Sequence, residues 1–563
     1  MHGPTLPISQ ELHAMKYRSE GEDFKAAMTR IAQALKDSDE HFYAFRDALL
    51  DMRFLPAGRV QSSMGSPRAT TPYNCFVSGV IEDSIDSIMD KVKESTQTMR
   101  LGGGIGYDFS RIRPKGHRIV SLDSLASGPV SFMGIFDSAC KTISSAGHRR
   151  GAQMAVLRVD HPDIEGFVRA KQNSTALTAF NISVGVTDDF MRCVKDDRPF
   201  DLKFDGRVCR TVNSRHLWDS IMQSTYDWAE PGVLFLDTAN RMNNLAYCEH
   251  LEATNPCAEQ WLPPYGACLL GSFNLVKYLV RDHDGFYFDF AKFRRDIKSV
   301  VRAMDNIVDR AIYPLEQQWN EAYMKRRMGL GVTGVANAIE AMGHPYGSPT
   351  FKHVLDCVLN VLANYSYEVS TELAAEKGPF PFFERDKYLA SVFVQGLSPD
   401  VQEAIYRRGI RNSHLTSIAP TGTISLTADN VSSGIEPVFA HSYTRLIQTF
   451  DGPRTETVED YGLRVFGIRG KTASECSVDD HLGVLLTACK WIDSSVSKTC
   501  NVGDDVSYED FKQIYMRAWE GGAKGCTTFR ASGKRYGILN ASTDDDEPQA
   551  CFIDPETGTK TCE

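Results

Sequence analysis

From about residue 54 onward, short apolar stretches alternate with longer stretches of helical periodicity. Apolar runs such as CFVSGVI, MAVLRV and FNISVGV predict strands, whereas SIDSIMDKVKESTQTMR and LWDSIMQSTYDWAE predict helices. Strands that alternate with helices are typical of an α/β fold with parallel strands. Neither a linker-like stretch nor an internal repeat interrupts this pattern before about residue 530.

The two ends of the chain differ from this middle region. Residues 1–53 include a long stretch with apolar positions at helical spacing and no Pro or Gly, and predict a helical segment that packs on the rest of the chain or pairs in a dimer. Residues 531–563 are polar and predict a mobile tail. We therefore expect an α/β region over 54–530 between these two segments.

Composition excludes several classes of protein. The 563 residues are 42% apolar and 24% charged, so the chain can bury a large core and is not disordered. The net charge of −10 argues against non-specific binding of nucleic acid. No run of eighteen apolar residues and no signal peptide are present, which predicts a cytoplasmic protein without a membrane span.

The fourteen cysteines are scattered along the chain. In a reducing compartment they serve as metal ligands, catalytic thiols or inert core residues. Neither a C-x-x-C nor an H-E-x-x-H motif occurs, so we predict no metal site built from protein ligands.

Two glycine-rich stretches mimic nucleotide-binding motifs. Residues 329–334 fit G-x-G-x-x-G, but a charged, helix-like stretch precedes them, so we expect tight packing of a helix or turn instead of a dinucleotide site. Residues 101–106 lack the Lys-Ser/Thr of a P-loop and do not support ATP hydrolysis.

The segment Asn255-Pro256-Cys257-Ala258-Glu259-Gln260 carries the most informative chemistry. In an extended loop, alternate residues face the same side, so Asn255, Cys257 and Glu259 would point into one cavity. An amide, a redox-capable sulfur and a carboxylate base form a reactive set. A buried structural cysteine is the alternative.

Three further motifs accompany this loop. Cys75 lies in YNCFV at the head of a predicted strand and is followed by EDSIDSI, Cys268 precedes SFNL, and residues 419–425 read APTGTIS. Together, over residues 50–530, these motifs resemble the catalytic subunit of ribonucleotide reductase. The resemblance implies a ten-stranded α/β barrel of two antiparallel halves, each of five parallel strands, with residues 255–260 as a finger loop in its centre.

The resemblance also implies roles for five residues in the reduction of ribonucleotides for DNA synthesis. Cys257 would become a thiyl radical that removes the 3′ hydrogen of the ribose, Glu259 would take the proton of the 3′-hydroxyl, and Asn255 would hydrogen-bond the sugar. Cys75 and Cys268 would deliver two electrons as water leaves C2′ and would end as a disulfide. A radical needs protection from water, so we expect the barrel to shield Cys257.

Substrate and effector sites follow from the same resemblance. A small, hydroxyl-rich loop at a helix start suits a di- or triphosphate, although an ordinary turn is the alternative. The substrate positions are Asn74, Gly104, Pro420, Thr421, Gly422, Thr423 and Ile424. A deoxynucleotide or ATP effector would bind Asp83, Ser84, Ile85, Arg113, Arg118 and Arg149, with a solvated charged surface as the alternative reading.

The radical source is the remaining question. The chain contains no Tyr-Tyr pair, which the large subunit of an enzyme with a separate metal-bearing radical subunit would need. Residues 433–440 and 524–530 are similar to segments of the adenosylcobalamin-dependent class, and no C-terminal glycyl motif is present. The D-x-H-x-x-G signature of a cobalt-ligating histidine is absent, because in Asp479-Asp480-His481-Leu482-Gly483 the glycine comes one residue too early. This absence fits the class in which cobalamin binds without a protein histidine. We therefore expect adenosylcobalamin, with the two-subunit enzyme as the alternative.

Both ends of the chain depart from the family pattern. Cys551 and Cys562 are more widely spaced than usual, but a turn at residues 554–558 would bring them within disulfide reach, so that thioredoxin or a glutaredoxin-like protein could reload the active site. The region before the barrel is too short for the family's ATP-binding domain, and on/off control by ATP and dATP is not expected. A nucleotide-sensing protein without catalysis is the alternative from another class.

Overall fold

The computed structural model describes residues 3–120, 122–143, 152–172, 176–283, 285–449, 452–503 and 506–530, and the backbone of 552–553 and 560–561. Side chains are described in the seven longer ranges except at residues 445–449 and 452–453. No helix among these residues combines the length and the apolar character needed to cross a membrane.

The helices follow one another along the whole described chain. They are α1 Pro7–Tyr17, α2 Phe24–Leu35, α3 Asp39–Leu50, α4 Gly58–Ser63, α5 Ile85–Arg100, α6 Pro129–Thr142, α7 Ile164–Val168, α8 Asp188–Asp196, α9 Ser214–Trp228, α10 Leu236–Arg241, α11 Phe290–Arg310, α12 Glu316–Lys325, α13 Val335–Ala341, α14 Pro349–Lys377, α15 Arg385–Leu389, α16 Val392–Gln395, α17 Pro399–Arg408, α18 Gly422–Thr427, α19 Val478–Cys489 and α20 Tyr508–Glu520, with a 3₁₀ turn at Leu275–Tyr278 and a π turn at Gly462–Phe466.

The strands are shorter, and many consist of two or three residues. They are β1 Phe54–Pro56, β2 Cys75–Val77, β3 Gly104–Asp108, β4 Arg118–Ile119, β5 Ser124–Leu125, β6 Gln153–Arg158, β7 Phe180–Val186, β8 Pro199–Phe204, β9 Arg207–Asn213, β10 Gly232–Phe235, β11 Ala253–Thr254, β12 Trp261–Leu262, β13 Ala267–Cys268, β14 Leu270–Asn274, β15 Leu279–Arg281, β16 Phe286–Phe288, β17 Gly329–Thr333, β18 Ser442–Thr449, β19 Gly452–Glu459, β20 Thr499–Val502, β21 Gly525–Arg530, β22 Phe552–Ile553 and β23 Lys560–Thr561.

Local sequence explains where several of these helices begin. Asp23, Ser84 and Asn213 precede α2, α5 and α9, and each side-chain oxygen accepts a hydrogen bond from a backbone N–H of the first helical turn. Such N-caps satisfy amide groups that have no acceptor within the helix.

One half of the architecture is a run of five parallel strands. The order β2-β3-β6-β7-β10 is parallel at each step. β13 lies antiparallel to β2 at one edge, and β21 lies antiparallel to β10 at the other. Together with β20, these strands form a sheet of eight.

The other half has the opposite strand direction and is less regular. β14 pairs in parallel with β17, and β20 pairs in parallel with β21. Between these pairs, single parallel bridges join Leu330 to Thr416 and Ile418 to Val496. Regular strand pairing in the described residues is therefore not continuous around a ring, although β13 leads through Leu269 directly into β14.

Alternate residues of the strands face two different environments, as the pleat of a strand requires. Outward-facing residues, such as Phe76, Ile105, Ile182 and Val332, belong to the main hydrophobic core with the surrounding helices. Inward-facing residues form a second cluster, which we call the lumen cluster. Its buried members are Ala57, Cys75, Val77, Met154, Val156, Leu234, Leu236, Ala239, Leu251, Ala253, Trp261, Leu262, Cys268, Leu270 and Ala419.

The α/β fold class predicted from the sequence is confirmed, with two halves of opposite strand direction around a lumen. The predicted strands at MAVLRV and FNISVGV correspond to β6 and β7, and the predicted helices correspond to α5 and α9. Residues 1–53 hold helices α1, α2 and α3, of which α1 was not distinguished in the sequence pattern.

Candidate active site

A short hairpin projects into the lumen and carries the chemically informative segment. Its two strands, β11 and β12, pair with Ala253 opposite Leu262 and Thr254 opposite Trp261. Residues 255–260 form the tip, and we call residues 253–262 the finger. Three finger residues, Ala253, Trp261 and Leu262, belong to the lumen cluster, so the strands of the barrel pack around the finger.

Glycines on the surrounding strands leave room for the finger, because they have no side chains. A Cβ atom at Gly106 would lie 1.9 Å from the carbonyl oxygen of Thr254, and one at Gly104 would lie 3.2 Å from Cγ of Pro256. On the opposite wall, a Cβ at Gly329 would lie 2.3 Å from Nε2 of Gln260. Glycines at alternate positions of β3 and β17 thus allow the finger to approach the strand backbones.

This arrangement corrects the interpretation of residues 329–334. The sequence favoured tight packing of a helix or turn, but residues 329–333 form the buried strand β17 and Gly334, at φ 69°, leads into α13. The helix-like residues before it are α12. The glycines serve the close approach of Gln260 and of the Ser417 backbone, which would lie 2.2 Å from a Cβ at Gly331.

The tip is a tight turn, which corrects the prediction of an extended loop. The Ala258 N–H donates to the Asn255 carbonyl at 3.0 Å, and Ala258 has a φ of 60°. The Gln260 N–H donates to Oδ1 of Asn255 at 3.0 Å. Asn255 and Glu259 are consequently buried, whereas Cys257 at the apex is exposed.

The exposure of Cys257 also contradicts the expectation of a shielded thiol. The backbone turns at Cys257 and Ala258, so that the apex side chain points out of the packed part of the finger. The neighbouring Asn255 and Glu259 are therefore buried, while the side chain of Cys257 remains accessible from outside the protein.

Cys75 and Cys268 lie directly opposite one another on β2 and β13. Both are buried thiols, and a Cβ at Gly104 would lie 3.4 Å from Sγ of Cys75. Burial, reinforced by the nearby Glu259, Cys75 and Cys257, raises the pKa of the Cys268 thiol well above its usual range. The structure thus brings together the three cysteines and the carboxylate that the sequence singled out.

Asn255 and Asn74 contribute unsatisfied polar atoms to this region. Nδ2 of Asn255 and Oδ1 of Asn74 are buried without a hydrogen-bond partner in the described structure. The Asn74 backbone bridges the strands, since its N–H donates to the Cys268 carbonyl and its carbonyl accepts from the Gly104 N–H. Buried polar atoms without partners are costly, and they mark positions where a polar ligand can bind.

The predicted phosphate loop lies at the start of the short helix α18. Thr421 precedes α18 in a left-handed conformation, with φ 52°. Its hydroxyl contacts the Thr333 hydroxyl at 2.9 Å and accepts from the Gly434 N–H at 2.7 Å, so this side chain fixes the loop to the end of β17. Gly422 and Thr423 are partly exposed beside it, and Pro420 and Ile424 flank them.

Four of the six predicted effector residues come together. Arg113 donates through its backbone N–H and Nε to the Asp83 carboxylate at 3.1 and 2.5 Å. Ser84 caps α5, and Ile85 follows with 62% of its surface exposed. Arg118 instead pairs with Asp123 on the β4–β5 hairpin, and Arg149 lies outside the described residues.

His481 is unsuited to bind a metal from solution. It is fully buried on α19, and its Nδ1 lies 2.8 Å from the Nζ of Lys498, which also pairs with Glu436. Burial and the Lys498 charge lower the pKa of His481 to about 2. In the part of the chain that the structure describes, no group of three His, Cys, Asp or Glu side chains is placed to hold a metal ion.

Two short strands of the tail, β22 and β23, pair with each other, whereas the turn predicted at residues 554–558 lies outside the described residues. Phe552 pairs with Thr561 and Ile553 with Lys560 in antiparallel register. Cys551 and Cys562, the proposed redox pair, lie outside the described residues.

Sequence reasoning missed the residues that hold the finger in place. Asn181 on β7 and Ser417 beside β17 each bond a tip carbonyl. Gly106 and Gly329 leave room for the finger, and Gly331 leaves room for the Ser417 backbone. The available signal was the spacing of the glycines, because a period of two leaves one strand face without side chains.

Comparisons with known proteins agree with this geometry. The family model described as "Ribonucleotide reductase, barrel domain" matches residues 73–529. A protein of Mycobacterium tuberculosis (strain CDC 1551 / Oshkosh), named vitamin B12-dependent ribonucleoside-diphosphate reductase, is 35% identical over 88% of this chain and 73% of its own length.

Two further relatives extend the comparison. A protein of the same name from Thermoplasma acidophilum is 34% identical over 92% of this chain and 69% of its own length. A vitamin B12-dependent ribonucleotide reductase of Streptomyces clavuligerus is 28% identical over 94% of this chain and 63% of its own length. With a family model that matches most of the chain and relatives aligned over nearly all of it, this chain belongs to the ribonucleotide reductase family.

Proposed function

We propose that this chain reduces ribonucleotides to 2′-deoxyribonucleotides by radical chemistry, with adenosylcobalamin as the radical source. The observation that carries the proposal is the convergence of an exposed Cys257 with the opposed thiols of Cys75 and Cys268 and the Glu259 carboxylate. Membership of the ribonucleotide reductase family, and relatives named for their dependence on vitamin B12, support it.

The reaction balances on these residues. A Cys257 thiyl radical takes the hydrogen atom from C3′ of the ribose, and Glu259 accepts the proton of the 3′-hydroxyl. The C2′ hydroxyl leaves as water with a proton from the thiol pair. Cys75 and Cys268 together supply two electrons and two protons and become a disulfide, with one proton leaving in the water and the other becoming the new hydrogen on C2′. Glu259 then returns its proton to the 3′-oxygen, and Cys257 returns the hydrogen atom to C3′. The raised pKa of Cys268 suits this role, because it keeps the proton on the sulfur until it is needed.

Asn255 and the phosphate loop would orient the substrate. The unsatisfied Nδ2 of Asn255 is a donor suited to a sugar hydroxyl, and Oδ1 of Asn74, immediately before β2, is an unsatisfied acceptor. Residues 420–424 would receive the phosphates, since the first amide groups of a helix have no acceptor within it.

The accessible face of Cys257 fits a radical generator that approaches from outside the protein. Asn181 bonds the Pro256 carbonyl, next to Cys257 in the chain. Ser183 shares the strand face of Asn181 on β7 and pairs with Gly232 on β10, and a Cβ at Gly232 would lie 2.9 Å from Oγ of Ser183, so this stretch of wall carries small residues. These residues would border bound adenosylcobalamin, while buried His481 would remain with Lys498. When bound, adenosylcobalamin supplies the radical equivalent that removes the hydrogen atom from the Cys257 thiol.

We further propose the partners that the sequence suggested. A deoxynucleotide or ATP effector would bind at Asp83, Ser84, Ile85 and Arg113. Thioredoxin or a glutaredoxin-like protein would reload the active-site disulfide through Cys551 and Cys562. The exposed Ile85 and Met89 on α5 suggest a homodimer contact.

The test is an assay of the purified chain with CDP or CTP, dithiothreitol and adenosylcobalamin, in which each component is omitted in turn. We expect deoxynucleotide only when all three are present. Product that requires a metal-bearing second subunit instead of adenosylcobalamin would establish the two-subunit alternative. Nucleotide binding without product under every condition would overturn the proposal in favour of a nucleotide sensor.

A further inference from the structure

Two side chains from opposite walls of the lumen bond the carbonyls on either side of the finger apex. Nδ2 of Asn181 donates to the Pro256 carbonyl at 3.1 Å, and Oγ of Ser417 donates to the Glu259 carbonyl at 2.8 Å. Asn181 belongs to β7 in the first half of the barrel. Ser417 lies beside β17 in the second half, where its N–H donates to the Leu330 carbonyl.

Asn181 does not contribute to the hydrophobic core. It is the one exposed residue of β7, whereas its neighbours Phe180 and Ile182 are buried in the main core. Its side chain therefore faces the lumen, where it bonds the finger.

The Pro256 carbonyl is a sensitive point of attachment. It belongs to the planar peptide unit that also contains the nitrogen and Cα of Cys257. The hydrogen bonds within the tip, from Ala258 and Gln260 to Asn255, fix the shape of the turn. These bonds lie within the finger and do not join it to the walls, whereas the bonds from Asn181 and Ser417 join the tip to both walls.

We propose that Asn181 is a positioning residue that sets the location of the Cys257 sulfur through the Pro256 carbonyl, with Ser417 as its counterpart on the opposite wall. The inference rests on the proposed function, in which the sulfur must lie within reach of C3′ of the ribose. A displacement of about 1 Å in such a reaction reduces the rate by about 100-fold.

Asn181 is the better residue to test, because it is exposed and Ser417 is packed against β17. Asn181→Ala removes the donor, Asn181→Asp replaces it with an acceptor, and Asn181→Gln retains a carboxamide. Tyr247→Phe is the matched control, since it removes a side-chain hydrogen bond to the Phe382 carbonyl that does not involve the finger.

In the ribonucleotide reduction assay, we expect kcat to fall about 10- to 100-fold in the Ala and Asp variants, with KM within about twofold of the wild type. The log kcat of the Gln variant should lie at least one third of the way from the Ala variant to the wild type. The kcat of Tyr247→Phe should match that of the wild type. An Ala variant with the wild-type kcat, or a Gln variant as slow as Ala, would overturn the inference.

A second readout does not depend on the reductase activity. The rate of Cys257 alkylation by iodoacetamide, measured by mass spectrometry of its peptide with the exposed Cys209 as internal reference, reports the local freedom of the apex. We expect the ratio of the two rates to change severalfold in Asn181→Ala and to stay constant in Tyr247→Phe. An unchanged ratio in Asn181→Ala contradicts the positioning role, whereas a wild-type chain without reductase activity contradicts only the proposed function.

Discussion

Cys75 and Cys268 are directly opposite one another across the antiparallel strands β2 and β13, although 193 positions separate them in the sequence. Opposite residues in antiparallel strands have Cα atoms about 4.5–5.5 Å apart, which is within the range of a disulfide. The pair can therefore pass between thiol and disulfide with little movement of the backbone.

This relationship predicts the product of a turnover without reductant. The test uses a chain with Cys551→Ser and Cys562→Ser that is first reduced and then freed of dithiothreitol. We expect it to form at most about one mole of deoxynucleotide per mole of chain. Peptide mapping should then identify a Cys75–Cys268 disulfide. A disulfide between any other described cysteines, or continued turnover, would contradict the assignment of this pair as the reductant.

Cys257 should be essential for product and dispensable for stability. Its side chain is exposed, so Cys257→Ser should leave the thermal midpoint and nucleotide binding unchanged while product falls below detection. The control is Cys209→Ser, at an exposed cysteine on β9 away from the lumen strands, which should retain full activity. Measurable product from the Cys257 variant would exclude a thiyl radical at this position.

A methyl group at Gly106 should displace the finger. Because its Cβ would lie 1.9 Å from the Thr254 carbonyl, we expect Gly106→Ala to lower the free energy of unfolding by about 1–3 kcal/mol and the rate by about 100-fold. Gly166→Ala, in helix α7 with open space around the new Cβ, should be neutral or stabilising. Denaturant titration measures the free energy of unfolding of both variants, and the reductase assay measures their rates. Equal stability and equal rates in the two variants would contradict the close approach of the finger to Gly106.

The buried His481 should make stability depend on pH. Its pKa is lowered to about 2 in the folded chain, whereas an unfolded histidine binds a proton near pH 6.5. Its stabilising contribution is thus complete above pH 6.5 and is lost as the pH falls, by about 2 kcal/mol at pH 5. The thermal midpoint of the wild type should fall more steeply between pH 7 and pH 5 than that of His481→Gln, and parallel curves would contradict this origin.

Arg113 should matter more than Arg118 for an effector. Arg113 holds the Asp83 carboxylate beside the start of α5, whereas Arg118 pairs with Asp123 where both side chains are largely exposed. We expect Arg113→Ala to raise the deoxynucleotide concentration needed to change base preference by about 10-fold, which corresponds to about 1.4 kcal/mol. A larger effect of Arg118→Ala would place the effector on the β4–β5 hairpin instead.

The sequence was most informative about chemistry and element type. It identified Cys75 at the head of a strand, residues 420–424 at the start of a helix, and the α/β pattern, because these features depend on neighbouring residues and on periodicity. It failed at the finger tip, where a turn through Ala258 replaced the expected extended loop and exposed Cys257. The conformation of residues 255–260 depends on contacts with the strands around the lumen, which the local sequence does not contain.

The sequence by itself determined which residue types are available: the amide, thiol and carboxylate of residues 255–259, and alternating glycines in β3 and β17. Only the tertiary structure decided that Cys75 faces Cys268, that Asn181 and Ser417 bond the finger from opposite walls, and that the glycines clear its path. The physical reason is that strand pairing and packing across the lumen join residues far apart in the chain, whereas periodicity reports only which face of its own strand a residue occupies.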